Sequence, residues 1–307
     1  MKSQKPTIIF FGTSDFAVPA VESLSQEYTV LAVVTQPSRP QGRKKTIEKT
    51  PVHQKAEFLE LPVLTFETLK EAHVADKLRT YTPDLFVVAA YGQIIPREIL
   101  AIPRYGALNI HGSILPAYRG ASPIHQALLD KLLGTGNTIM VMDEKMDHGP
   151  ILSTSQVSIE PEDTFKSLET KMALDGASLL LSTLPSYIEG KILPQEQDHE
   201  KATFVSMIKK TDGKITETDT TKQVLAKSRA YSVWPGIYIE HPLRIKLNEI
   251  LPGELVLPVG TLHVVDHKLF LGTADGSVEI KKLTPEGKSS MDALAFINGY
   301  AHHLKQE

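Results

Sequence analysis

Cysteine is absent from the 307 residues. That excludes a disulfide framework, a thiolate nucleophile, an iron–sulfur cluster and a thiolate zinc site. No apolar stretch approaches the ~20 residues of a membrane-spanning helix. Near the start, the run Ile8-Ile9-Phe10-Phe11 stops at Gly12 and is too short for the core of a secretory signal. A cytoplasmic protein with no membrane partner is the resulting expectation. A strong charge of either sign is also missing. Lys and Arg number 33 against 36 Asp and Glu, a formal net charge of −3, which argues against wholesale coating of nucleic acid but allows a local basic patch.

What is present is ordinary for a folded protein. Hydrophobic residues make up 41% and charged residues 22%, and the length suggests about two domains. Short apolar runs at 7–11, 30–35, 85–89, 107–111 and 138–142 are rich in Val, Ile and Phe. Alternating with amphipathic stretches, they predict an α/β fold: a Rossmann-like, mostly parallel sheet flanked by helices. Ser122, Pro123 and Gly134 punctuate a helix expected over 122–133, and another is expected over 164–188. A polar run from Lys191 reads as a surface linker. Beyond it come a helix near 222–229, short strands at 238–240, 244–249, 261–265, 269–272 and 278–283, and a last helix at 290–303. Those strands, separated by Gly, Pro and Asp turns, predict a small barrel or sandwich. The expected division is therefore 1–190, a linker 191–206, and 207–307.

Two segments carry candidate chemistry. Asn109 and His111 lie two apart on an expected strand, so their side chains point the same way at its C-terminal end, the edge where open α/β sheets bind ligands. An Asn amide can donate to a developing oxyanion and a His beside it can move a proton; equally, both could be satisfied polar groups of a core. Asp143 and Asp147 follow the strand at 138–142. A carboxylate there could orient a histidine, although Asp and Gly are also favoured turn residues. A basic loop contains Arg39, Arg43, Lys44, Lys45 and Lys49 against Glu48. It is either a solvated surface or a phosphate contact. His263 and His267 have a spacing that would suit a metal on a helix, but the flanking Val264, Val265, Leu269 and Phe270 argue for a hairpin. No metal is expected.

Taken together, Asn109-Ile110-His111-Gly112-Ser113-Ile114-Leu115-Pro116, then Tyr118-Arg119-Gly120-Ala121-Ser122-Pro123-Ile124, with Asp147 downstream, resemble the signature of the folate-dependent formyltransferases. The basic loop, Arg229 to Gly236 and Leu283 to Lys288 resemble the branch of that family that acts on methionyl-tRNA. The resemblance implies a formyl transfer from 10-formyltetrahydrofolate, without a metal, to the α-amino group of methionyl-initiator-tRNA for translation initiation. It implies Asn109, His111 and Asp147 as catalytic residues. Tyr91, Gly92, Ser113, Ile114, Leu115, Pro116 and Asp143 would enclose the folate. Arg39, Arg43, Lys44 and Lys45, with Lys209, Lys210 and Arg229 of an OB-like C-terminal domain, would meet the tRNA. A monomer is expected. Sugar-nucleotide and glycinamide ribonucleotide formyltransferases share the signature, and a non-catalytic tRNA-binding protein is the rival from another class.

Overall fold

A computed structural model describes residues 5–41, 46–240, 244–300 and 305–306. The chain forms two compact units. One comprises residues up to Pro123, Gly134–Ser158 and Glu169–Ser206; the other comprises Ile124–Leu133, Ile159–Leu168 and the chain from Met207 onward.

The first unit is built on seven strands: β1 (Thr7–Gly12), β2 (Thr29–Thr35), β3 (Val63–Thr65), β4 (Leu85–Ala89), β5 (Ala107–His111), β6 (Thr138–Val141) and β7 (Ile151–Thr154). Their order is β7-β6-β5-β4-β1-β2-β3. The strands from β5 to β3 run parallel, whereas β6 and β7 are antiparallel additions. The run expected at 138–142 is thus a strand of opposite direction. Two strands, β3 and β7, go beyond those the apolar runs predict. Both faces of the central strands are covered, which explains their continuous apolar sequence. On one face, Ile9, Phe11, Ala32, Val34, Phe86 and Val88 pack with Val74, Ala75 and Leu78. The latter belong to α3 (Ala72–Arg79), which follows α1 (Val18–Glu27) and α2 (Pro51–Phe58). Ile8 and Phe10, alternating to the other face, are also fully buried. Helix α2 starts where Thr50 accepts a hydrogen bond from the His53 N–H at 3.1 Å and Pro51 takes the first position, the usual N-terminal chemistry.

Helix α4 (Arg97–Leu100) completes this set. The helix expected over 122–133 is shorter, α5 (Pro123–Leu129), because Lys131 adopts a left-handed φ of 57° before Gly134 is reached. Helix α6 (Phe165–Ile188) matches its expected span.

In the second unit, α7 (Thr221–Ala230) begins with a reciprocal cap between Thr220 and Gln223. Five strands follow: β8 (Ile237–Ile239), β9 (Ile245–Gly253), β10 (Leu262–Val265), β11 (Lys268–Gly272) and β12 (Ser277–Pro285). They form one antiparallel sheet in the order β8-β9-β12-β11-β10, extended by 305–306. Register shifts in β9 between Leu247 and Ile250 mark bulges that bend the sheet. Asp266 and His267, at φ 50° and 62°, make the tight turn between β10 and β11. His263 and His267 therefore belong to a hairpin, not to one face of a helix. A final helix, α8 (Ala293–Tyr300), begins three residues later than the expected 290–303, because 291–292 pair as a short strand; residues 301–303 lie outside the described residues. No described helix is long and apolar enough to cross a membrane.

Candidate active site

Strand β5 delivers Asn109 and His111 to one face at the C-terminal end of the sheet. His111 is 5% exposed. Its Nε2 lies 3.0 Å from the carbonyl of Tyr118. A carbonyl can only accept, so Nε2 carries the proton and Nδ1 is the nitrogen left for chemistry. Nδ1 faces Oδ1 of Asp147 at 3.5 Å. That distance is longer than the 2.7–3.2 Å of a usual N–H···O hydrogen bond, so the pair is loosely made. Asn109 is half-buried, and its amide has no hydrogen-bond partner among the described residues.

The turn after β5 is fastened to the sheet through Thr138 of β6, whose residue partner in the ladder is His111. Thr138 Oγ1 donates to the Ser113 carbonyl at 2.7 Å and accepts from the Leu115 N–H at 3.1 Å. Ser113 Oγ is used internally, donating to the Ala117 carbonyl at 2.6 Å. The turn ends in Tyr118 at φ 58°, which is how its carbonyl reaches His111.

Asp147 sits in the β6–β7 connection with a left-handed φ of 49°. Its Oδ2 accepts from the Gly120 N–H at 2.8 Å. Gly120 is required there: φ is 116°, and a Cβ would collide with the Val205 carbonyl oxygen. That carbonyl belongs to 204–205, which pairs in parallel with 119–120. The polar run expected to be a surface linker therefore contributes a short strand and a buried side chain, Gln197, to this site.

A third group of residues flanks the trio. His148 Nδ1 lies 2.6 Å from Asp143 Oδ2. Asp143, His148, Met142, Leu100 and Arg97 line an open groove of about 710 Å³, a size that suits a small organic ligand. Among the described residues no cluster of three His, Asp or Glu side chains could hold a metal.

Comparison with known proteins identifies the lineage of this arrangement. A formyl transferase family model matches residues 5–184, and the formyl transferase C-terminal domain model matches residues 207–301. The chain belongs to the formyl transferase family. It is 40% identical over 299 residues to the methionyl-tRNA formyltransferase of Bacillus thuringiensis subsp. konkukian strain 97-27, covering 95% of each chain. It is 37% identical to that of Geobacillus sp. strain WCH70, covering 97% of this chain and 95% of the relative. Among solved structures, a HypX variant from Aquifex aeolicus aligns with a TM-score of 0.66 and 17% identity, over 99% of this chain and 51% of that one; at that identity the likeness is one of fold.

The residues that the sequence nominates for this family's chemistry fall into three sets. His111 and Asp147 come together, Asn109 shares the strand face of His111, and Asp143 reaches the neighbouring groove. Ile114 is exposed on the turn, whereas Leu115 is buried within it and Pro116 is half-buried. Tyr91 departs from expectation. Its ring is 2% exposed and packs edge-on against Phe11 at 5.5 Å within the core. Burial pushes its phenol up to about 12. It is the Tyr91 carbonyl that serves the sheet edge, accepting from Thr13 Oγ1 at 2.8 Å and Gln36 Nε2 at 3.0 Å. Gly92 is exposed at φ 83°, with Gln36 where a Cβ would be. Of the basic candidates, Arg39, Lys209 and Lys210 are exposed, and Arg229 donates to the Asp163 carbonyl at 3.4 Å. Arg43, Lys44 and Lys45 lie outside the described residues. Arg119, which lies within the quoted signature, clusters with Gln197, His199 and His148; no local sequence pattern marks the last three, because the contacts join distant segments.

Proposed function

We propose that the chain is a methionyl-tRNA formyltransferase that moves the formyl group of 10-formyltetrahydrofolate to the α-amino group of methionyl-initiator-tRNA. The observation that carries this reading is the 40% identity to a protein of that name over 95% of both chains, with the N-terminal and C-terminal family domains both matched. On this reading residues 1–190 carry the transfer, 191–206 connect, and 207–307 hold the tRNA, in a cytoplasmic monomer.

The chemistry asks little of a covalent catalyst. An α-amino group has a reference pKa of about 7.7–8.0, so a sizeable share is neutral near pH 7. The amine nitrogen attacks the formyl carbon, the carbon–oxygen bond opens to an oxyanion, and the tetrahedral intermediate collapses with cleavage of the bond to N10 of the folate. Asn109, with its amide uncommitted, donates to the oxyanion. The proton lost by the attacking nitrogen passes to the pair formed by His111 Nδ1 and Asp147, and N10 receives one as it leaves. Tyr118 holds the opposite ring nitrogen, so the imidazole can exchange a proton without turning. Asp143 and the groove beside it, with the turn Ser113 to Pro116 and the strand end at Tyr91 and Gly92, hold the folate. Arg39, Arg43, Lys44 and Lys45 meet acceptor-stem phosphates, aided by Lys209, Lys210 and Arg229.

The test is incorporation of labelled formyl from the folate into acid-precipitable aminoacyl-tRNA. Label is expected in methionyl-initiator-tRNA and absent from the deacylated tRNA. No incorporation by folded protein would remove the reading.

A further inference from the structure

Gln197 plays no part in the proposed reaction, yet its amide is completely used. It is 6% exposed. Nε2 donates to the carbonyls of Asp147 and Gly149, at 3.0 and 2.7 Å. Oε1 accepts from Nε and Nη2 of Arg119, at 3.1 and 2.6 Å. Arg119 is itself 3% exposed, and its Nη2 also meets His199 Nδ1 at 2.9 Å. The next residue, Gly120, presents the N–H that holds the Asp147 carboxylate. Asp147 is thus gripped by its backbone and by its side chain, and both grips converge on the Arg119–Gln197 pair. Asp147 holds a left-handed φ of 49°, a turn conformation that aspartate tolerates better than most residues, so what the two grips fix is the aim of its carboxylate.

We propose that Gln197, itself fixed by Arg119, is the positioning residue of the site and sets the Asp147 carboxylate against His111. For its effect on rate this rests on the transfer reaction proposed above; for its effect on His111 it rests on geometry alone. His199 extends the same cluster, stacking on His148 at 4.0 Å and 7°, so the connection that carries Asp147 is held at Asp143 and His148 as well.

The experiment uses the full chain with Gln197→Glu. This substitution removes both donors to the loop carbonyls while its carboxylate can still pair with Arg119 and keep the segment docked. Displacing a catalytic group by a fraction of an ångström to 1 Å costs up to about 10²-fold. We expect kcat for formyl transfer to fall about 10- to 10²-fold, with the KM of both substrates little changed. In an Asp147→Asn background the same change should cost nothing further, since Gln197 would act only through that carboxylate. The ring ¹⁵N shifts of His111 should move from the wild-type values toward those of Asp147→Asn. Wild-type kcat in folded Gln197→Glu, a full multiplicative loss in the Asp147→Asn background, or unmoved His111 nitrogens would each overturn the proposal. If wild-type protein transfers no formyl group at all, the reaction reading fails, and the His111 nitrogens alone decide whether Gln197 positions Asp147. Should Gln197→Glu not fold, Arg119→Lys, which keeps the charge but cannot fork onto the amide, is read the same way.

Discussion

His111 and Asp147 face each other across 3.5 Å, Nδ1 toward Oδ1, while the far ring nitrogen and the second carboxylate oxygen are each tied to backbone. Among the described residues, Nδ1 and Oδ1 are therefore the ends of this pair left without another partner. A proton arriving between them meets groups that cannot rotate away. If that is the acid–base centre of the reaction, Asp147→Asn keeps a bond from the Gly120 N–H but loses the charge, and kcat should fall about 10²- to 10⁴-fold. Steady-state kinetics on the folded variant decide; a rate within a few-fold of wild type would leave Asp147 a turn residue.

Asn109 offers the donor for the oxyanion. Asn109→Ala removes a half-buried amide that bonds to nothing among the described residues, so the fold should survive. Turnover should drop on the order of 10²- to 10³-fold. Intact circular dichroism with near-normal turnover would take Asn109 out of the site.

Tyr91 makes the opposite prediction. Its hydroxyl is buried without a hydrogen-bond partner, a cost that Phe would not bear. Tyr91→Phe should stabilise the protein by about 1 kcal/mol in urea unfolding and leave the folate KM unchanged. A raised folate KM would mean that the hydroxyl reaches the ligand after all.

Stability should also respond to acid through His125. The ring stacks on Phe165 at 3.9 Å, and burial lowers its pKa to about 4, below the ~6.5 of an exposed imidazole. Between those values the unfolded chain binds a proton that the folded chain refuses. Stability held above about pH 6.5 is therefore lost as pH falls toward 4. Allowing for the ring's partial contact with water, the loss should be about 1–2 kcal/mol. Urea midpoints at several pH values, for wild type and His125→Phe, measure it; an equal pH dependence in both would assign the effect elsewhere.

Much of the fold is legible in the sequence, for reasons that also explain what is not. Strands β4 and β5 lie between covered faces, so their apolar runs announce them. Strand β3 escapes because three residues after Pro62 carry no usable period, and β7 because only one of its four residues is fully buried. Helix α5 is shorter than its punctuation suggests, since Gly134 is a fair stop signal but Lys131 turns the chain first. Asn109 and His111 can be read from strand alternation. Asp147 is singled out by family resemblance, because a lone Asp beside His148-Gly149 looks like any turn. Tyr91 is nominated by family resemblance alone, and the sequence does not tell that its ring lies in the core while its carbonyl faces the sheet edge. Gln197, between Glu196 and Asp198, has the local look of a solvated segment, and only its long-range pairing with Arg119 distinguishes it.

The basic loop gives a further expectation. Neutralising Arg43, Lys44 and Lys45 together should raise the KM for tRNA and flatten its dependence on salt, by about 0.7–0.9 in log–log slope for every phosphate no longer neutralised, with the folate KM unaltered. An unchanged slope would make the loop a solvated surface.

The most direct measurement offers the purified protein 10-formyltetrahydrofolate together with methionyl-initiator-tRNA and an amino-sugar nucleotide in one mixture, and follows both products by mass spectrometry. Formyl-methionyl-tRNA alone is the predicted outcome, abolished by Asn109→Ala and Asp147→Asn. Formylated sugar alone would contradict the substrate assignment while leaving His111 and Asp147 in place as the centre of a different transfer.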